Sequence, residues 1–337
     1  MKKFVLLVLV FAMFLAVNIL PAGMAAKGSG ITVGFVAGDM SADSNAAAYK
    51  SFAAYAAKNG WKINLIDCRG QQSSNMSSNM INLVSYGVNA IVVVSGEPSI
   101  IQEGVAAADK AKIPVFLEDT DNIGNTIMNA TSNQESMGHA LAEQAIKKLR
   151  SNNPDKKMKN VMLMGNMDLL VHRQRIQAYK DVLEKTKDIK IVGVETINGG
   201  DWANSSYDIA RTYVTKYGDD LDAILCTWDG LGWGVSRAIL DAGFNKNQIF
   251  TMGIDGSTKS YDIVRHGDPL VGVIAQNFGG WSTAIGSGIK KIVVEKQDPK
   301  KIIPASKTIF VPFQWVDASN VPGPGQGVKF PKYNGLD

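Results

Sequence analysis

From Ile31 onward, short apolar runs of strand length alternate with stretches of helical spacing, and no other feature constrains the fold as strongly. Strand-formers occupy 31–37, helical spacing follows over 45–58, and the rhythm continues as strand 61–66, helix 75–86, strand 88–94, helix 100–110 and strand 113–117. A second series begins near Asn160 with strand 161–164, helix 171–185, strand 189–196, helix 204–217, strand 223–226, helix 232–241 and strands 249–253 and 270–274. Strands separated by helices are joined by crossovers and assemble into parallel sheets. Two such series in 337 residues predict an α/β protein of two Rossmann-like units, each long enough for its own core. The polar run from Ser151 to Lys157 reads as a surface loop, and the Pro/Gly-rich residues 321–337 as an extended tail.

Ahead of this pattern, Met1-Lys2-Lys3 is followed by an apolar run over 4–17 and by Pro21-Ala-Gly-Met-Ala-Ala. A basic start, a short apolar stretch and small residues at a cleavage point make a secretory signal peptide, 1–25, cut after Ala25. Asn18 and Pro21 interrupt the run before it reaches the roughly 20 residues of a membrane span. The whole chain is balanced, with 35 Lys+Arg against 31 Asp+Glu, too even for a dedicated nucleic-acid binder. Cys68 and Cys226 fall in different units and read as two separate thiols, although an exporting compartment permits a disulfide. His139, His172 and His266 lack ligand spacing, so no metal site is expected.

In open parallel sheets ligands sit beyond the carboxyl ends of the strands. The residues there are Asp39 to Asn45, Asp67-Cys68, Ser95, Glu118-Asp119-Thr120, Gly165-Asn166, Gly199-Gly-Asp201-Trp202, Thr227-Trp228-Asp229, Asp255 and Gln276. The set is rich in planar polar groups and indoles and poor in nucleophile–base pairs, as expected of a binding protein without a cofactor rather than an enzyme. Gly230-Leu-Gly232-Trp-Gly234 departs from the dinucleotide fingerprint, since Val235 stands where its last glycine would be needed. P-loop, nucleophile-elbow and zinc-protease patterns are missing from the sequence.

Several stretches together resemble the periplasmic sugar-binding proteins of the ribose- and galactose-binding type: Pro114-Val-Phe-Leu-Glu-Asp119, Asp201-Trp202, Leu225-Cys-Thr-Trp-Asp229, Gly253-Ile-Asp255-Gly and Val273-Ile-Ala-Gln276. The similarity runs from about Ile31 to Val311. It implies the type I periplasmic binding fold: two lobes with parallel sheets, joined by a three-stranded hinge, closing on one ligand. The first lobe would comprise 31–130 plus 277–307 and the second 135–275 plus 308–320, with crossings near 131–133, 276–277 and 307–309. Position by position, Asp119 matches a first-lobe acceptor for sugar hydroxyls, Arg175 the arginine reaching across the cleft (Arg173 being the second choice), Asp255 the second-lobe acceptor and Gln276 the hinge glutamine. Trp202 falls where the family places a ring against the sugar, and Ser44, Asn45, Ser95 and Trp228 occupy the remaining ligand positions. The chemistry agrees, because adjacent hydroxyls are matched by ionised acceptors and fork-shaped donors, and C–H faces by indole.

The chain also departs from ribose binders. Asp39-Met-Ser-Ala-Asp-Ser44-Asn45 stands in place of an asparagine and paired phenylalanines, Thr120 in place of an arginine, and Ser95 and Trp228 in place of asparagines. A sugar or polyol other than ribose is therefore expected. Each position also has a purely structural reading: Trp202 could cap a helix, Asp255 could fix a turn, Asp121 rather than Asp119 could face the cleft, and Arg175 could lie on a solvated helix face. Asp229 reads as the cap of a helix starting near Leu231, and Trp233 and Trp281 as packing residues. The resemblance implies a periplasmic monomer that delivers its ligand to an ABC transporter permease in the inner membrane. A chemotaxis or sensor-kinase receptor component and, third, an exported sugar-processing enzyme compete with that role.

Overall fold

A computed structural model describes residues 30–70 and 72–336, without the side chains of 72–74. The leader expected over 1–25 lies outside the described residues. The first lobe starts with β1 (Thr32–Ala37), α1 (Asp43–Lys58), β2 (Lys62–Asp67), α2 (Gln72–Ser85), β3 (Ala90–Val94), α3 (Pro98–Lys110), β4 (Val115–Glu118) and β5 (Met128–Thr131). The chain then enters the second lobe as α4 (Gln134–Asn152), β6 (Lys159–Gly165), α5 (Leu170–Leu183), β7 (Ile189–Thr196), α6 (Trp202–Tyr217), β8 (Leu221–Cys226), α7 (Asp229–Asp241), β9 (Phe250–Asp255), α8 (Thr258–His266) and β10 (Leu270–Ala275). It returns to the first lobe as α9 (Phe278–Ile289), α10 (Pro299–Ile302) and β11 (Thr308–Phe310), and ends in the second with β12 (Gln314–Asp317).

Each lobe holds a six-stranded sheet, ordered β11-β5-β4-β3-β1-β2 and β12-β10-β9-β8-β6-β7. All pairings are parallel except β10 with β12. The central strands are apolar along their whole length because helices cover both faces, as in Ala90–Val94, where every residue is buried. On one face of the first sheet Phe35, Phe52, Phe116 and Trp281 pack together, and on the other Met76, Met80, Leu83 and Ile101. The order reverses around β1 and around β6, so helices before and after these strands leave on opposite faces and open a crevice at the carboxyl ends. The two sheets present those ends to each other.

Two features differ from the sequence reading. The second-lobe assignment of 308–320 is corrected at its start: β11 pairs with β5 through Thr308–Asn129 and Phe310–Thr131, so 308–310 belong to the first sheet and the third crossing falls between Phe310 and Gln314. β5 itself has no apolar run, because Met128 and Ala130 face the core while Asn129 and Thr131 serve polar contacts. Cys68 and Cys226 are free, buried and in different lobes.

Phe35 is fully buried in contact with the rings of Tyr49 and Phe52. Phe35→Ala is expected to lower unfolding free energy by about 3–5 kcal/mol, since a large cavity replaces the ring; urea denaturation followed by circular dichroism measures it.

Candidate functional site

The facing strand ends enclose a cleft of about 780 Å³. Of the nine residues singled out from sequence, Ser44, Asn45, Ser95, Asp119, Arg175, Trp202, Trp228 and Asp255 line it. Gln276 lies just behind, lining an adjoining cavity of about 680 Å³ that shares Ser44 and Asp255 with the cleft.

The centre is a guanidinium. Arg175 sits on α5 with only 1% of its surface exposed. It donates from Nη2 to Asp119 Oδ2 in the opposite lobe at 3.2 Å, from Nη1 to Asp255 Oδ1 at 3.4 Å and to the Thr227 carbonyl at 2.9 Å, and from Nε to Gln134 Oε1 at 2.7 Å. Arg175 thus fills the bridging position, and the solvated-face reading fails. Gln134 and Thr131, at the first crossing, donate to Asp119 Oδ1 at 2.7 and 3.0 Å. Gln276, at the second crossing, donates to Asp255 Oδ1 at 2.8 Å. One hydrogen-bonded network therefore joins both lobes and two of the three hinge segments.

Three cleft residues at strand ends have positive φ: Ser95 at 53° and Asp119 at 50°, which directly follow β3 and β4, and Asp255 at 120°, the last residue of β9. Side chains other than glycine adopt such angles at a cost of order 1–3 kcal/mol each, and such strain collects at binding sites. Asp119 turns into the cleft while Asp121 is exposed beside a separate hinge-side cavity. Thr120, also turned away, donates to the Gly96 carbonyl.

The upper wall is polar. Asn45 donates to the Asp39 carbonyl at 2.9 Å and accepts from Ser95 Oγ at 3.0 Å, so each orients the other. The lower wall is aromatic. Trp202, the first residue of α6, packs on Trp228 at 4.6 Å between ring centroids and meets the edge of Trp233 at 5.8 Å. Trp233 is anchored by its own bond to Ser260 Oγ, and Trp281 is in the first-lobe core. Asp229 does not cap α7, which it begins: its Oδ2 accepts from Gly256 N, Ser257 N and Ser260 Oγ, tying α7 to the turn after β9.

Electrostatics follow from burial. Asp255 is pushed up to about 7 by desolvation, against the pull of Arg175. His172, in the cleft wall, is held well below its ordinary value by burial and by Arg175 and Arg173. It stays neutral, and its Nδ1 contacts Thr227 Oγ1 at 2.6 Å and accepts from Asn166 N at 3.3 Å, which puts the proton on Nε2. Glu118, the residue before Asp119, is fully buried, and neither carboxylate oxygen meets a hydrogen-bond donor among the described residues. Burial and the neighbouring Asp119 charge raise it to about 8.

Sequence reasoning missed Glu97 and His172. Glu97, 8% exposed, accepts from Arg173 Nη2 at 2.9 Å and from Leu170 N at 2.7 Å across the cleft. Its partners lie 73 and 76 positions away, so no local signal marked it. Arg173, the second choice for the bridging arginine, therefore closes the cleft rim instead.

A family model described as periplasmic binding protein domain matches residues 33–297. A xylitol-binding protein of Mycolicibacterium smegmatis is 25% identical over 242 residues, 69% of this chain and 65% of that protein. The D-allose-binding periplasmic protein of Escherichia coli is 27% identical over 128 residues, 38% of each chain. The chain thus matches less than two thirds of the length of these curated relatives. Among solved structures, the Caulobacter myo-inositol binding protein bound to myo-inositol shares the fold with a TM-score of 0.75, over 89% of this chain and 97% of that one, at 19% identity.

Two outcomes are expected. Arg175→Met keeps the bulk but leaves Asp119 and Asp255 as uncompensated buried acids, so unfolding free energy should fall by about 3–5 kcal/mol in denaturant titrations. Glu118 has a folded value of about 8 against 4.5 in an open chain; the folded form therefore holds the extra proton, and its contribution is lost as pH rises between those values. Glu118→Gln should flatten the fall in melting temperature between pH 5 and pH 8, whereas an unchanged slope would show that Glu118 ionises freely.

Proposed function

Because this chain belongs to the periplasmic binding protein family, we propose that it captures a small neutral polyol or sugar between its lobes and delivers it to an ABC transporter permease. The observation that carries this reading is Arg175 held between Asp119 of one lobe and Asp255 of the other. Ionised acceptors and a guanidinium fork offer directional, charge-assisted bonds to adjacent hydroxyls, and the Trp202–Trp228 pair offers an apolar wall to C–H faces. Closure about the hinge completes the polar shell, and ligand shifts the open–closed balance by its differential affinity for the closed form.

The cleft charges restrict the class further. Among the described residues that line the cleft, Asp39, Glu97, Asp119, Asp168 and Asp255 face two arginines, Arg173 and Arg175, and both are already in ion pairs. An acidic or phosphorylated sugar would meet uncompensated carboxylates. Relatives and neighbours named for xylitol, allose and myo-inositol support an uncharged polyhydroxyl ligand, open-chain or cyclic.

A thermal-shift panel of pentitols, hexitols, inositols, pentoses and hexoses should contain ligands that raise the melting temperature by mass action, while sugar acids and sugar phosphates leave it unchanged. A panel without a hit would contradict the reading. For a hit, Asp119→Ala and Asp255→Ala should each weaken calorimetric affinity by more than about 1 kcal/mol, because ligand hydroxyls lose their acceptor.

A further inference from the structure

The three hinge crossings are not the last passage between the lobes. After β12 the chain runs along the second lobe, where Arg265 Nη1 donates to the Pro322 carbonyl at 2.6 Å. Val321, Val328 and Phe330 pack against the cluster of Tyr261, Val264 and Leu270. It then crosses to the first lobe, where Tyr333 and Leu336 pack against the core that contains Phe35 and Trp281. There Leu336 N donates to Ser287 Oγ at 3.1 Å and Lys291 Nζ donates to the Leu336 carbonyl at 2.7 Å. Gly335 fits this anchor closely: its φ is +80°, and a Cβ there would stand 2.6 Å from Ser287 Oγ.

Resting on the reading of the chain as a hinge-closing binding protein, we propose that residues 321–336 form a strap across the lobes that must release its first-lobe end before the cleft opens fully. Slack is small. Only Pro331 and Lys332 separate Phe330 on one lobe from Tyr333 on the other, and three residue steps span at most about 10 Å. The preceding Pro322-Gly-Pro-Gly run makes no regular structure, so the strap is held by its two anchors and not by a sheet. Its residues Gly327, Val328, Phe330 and 331–333 also wall the cavity behind the cleft, together with Ser44, Asp255 and Gln276. The segment that reads in sequence as a loose tail thus lies against the back of the binding network.

Among the described residues, the strap's first-lobe end is held by the Leu336–Ser287 and Lys291–Leu336 hydrogen bonds and by the half-buried Tyr333 and Leu336, and rotation of that lobe away from the second would pull directly on Tyr333 and Leu336. Release there leaves the second-lobe anchor intact, so the segment can rebind when the lobes close. The strap would therefore bias the chain toward closure and slow ligand escape without touching the ligand.

The test compares the full chain with a chain ending at Pro331 and with Gly335→Val, using small-angle X-ray scattering in plain buffer with no sugar added. Both changes remove the first-lobe anchor, and Gly335→Val keeps every other residue, so it decides the matter should the shortened chain fold poorly. A larger radius of gyration in the variants, with cooperative melting retained, is the expected result. Scattering curves that superpose on that of the full chain would overturn the strap. Because no sugar is involved, this outcome is independent of the thermal-shift panel, whose failure would instead remove the ligand reading.

Discussion

The structure turns on one buried cation. With 1% of its surface exposed, Arg175 could not keep its charge without partners, because desolvating an isolated guanidinium costs far more than a domain's stability margin. The partners come from everywhere the lobes meet: Asp119 from the end of β4, Gln134 from the first crossing, Thr227 from the end of β8 and Asp255 from the end of β9. Removing any of them leaves a buried polar group unsatisfied. At the centre of the cleft, contact between the lobes and the polar groups facing the cavity thus depend on one set of bonds.

That arrangement explains why backbone strain is tolerated at the strand ends. Ser95 and Asp119, directly after core strands, and Asp255, the last residue of β9, each adopt a positive φ. The strands are pinned by parallel pairing and by helices on both faces, so the following residue can be turned sharply into the cleft. Rigid sheets hold the site, and the loops beyond them supply its chemistry. Asp229 shows the same division of labour: its carboxylate braces Gly256 and Ser257, which fixes the turn that aims Asp255.

Most of the architecture is legible in the sequence because buried parallel strands are unbroken apolar runs and their crossover helices have helical spacing. The short strands β5 and β11 are not: β5 alternates apolar and polar residues over four positions, β11 is only three residues long, and each exists because a neighbour pairs with it. The rule that ligands sit beyond strand ends brings out Asp119, Trp228 and Asp255, which converge in space as expected. It passes over Glu97, whose role depends on Arg173 and Leu170 in the other lobe. Asp229 misleads for a related reason: an aspartate before a helix reads as its cap, while its real partners lie about thirty positions further on. Pro and Gly in the last segment signal extension, but the apolar Val328, Phe330, Tyr333 and Leu336 among them determine where it lies.

Ligand-driven closure of the lobes through the Arg175 network is the step that we propose. It is tested most directly by electron–electron distance measurements between spin labels at Lys58 on the first lobe and Lys216 on the second, both exposed. With a polyol or sugar identified by melting shift, the distance distribution should narrow and shorten in the unmodified network, and should fail to do so in Arg175→Met. A distribution that is the same with and without bound ligand would contradict the account.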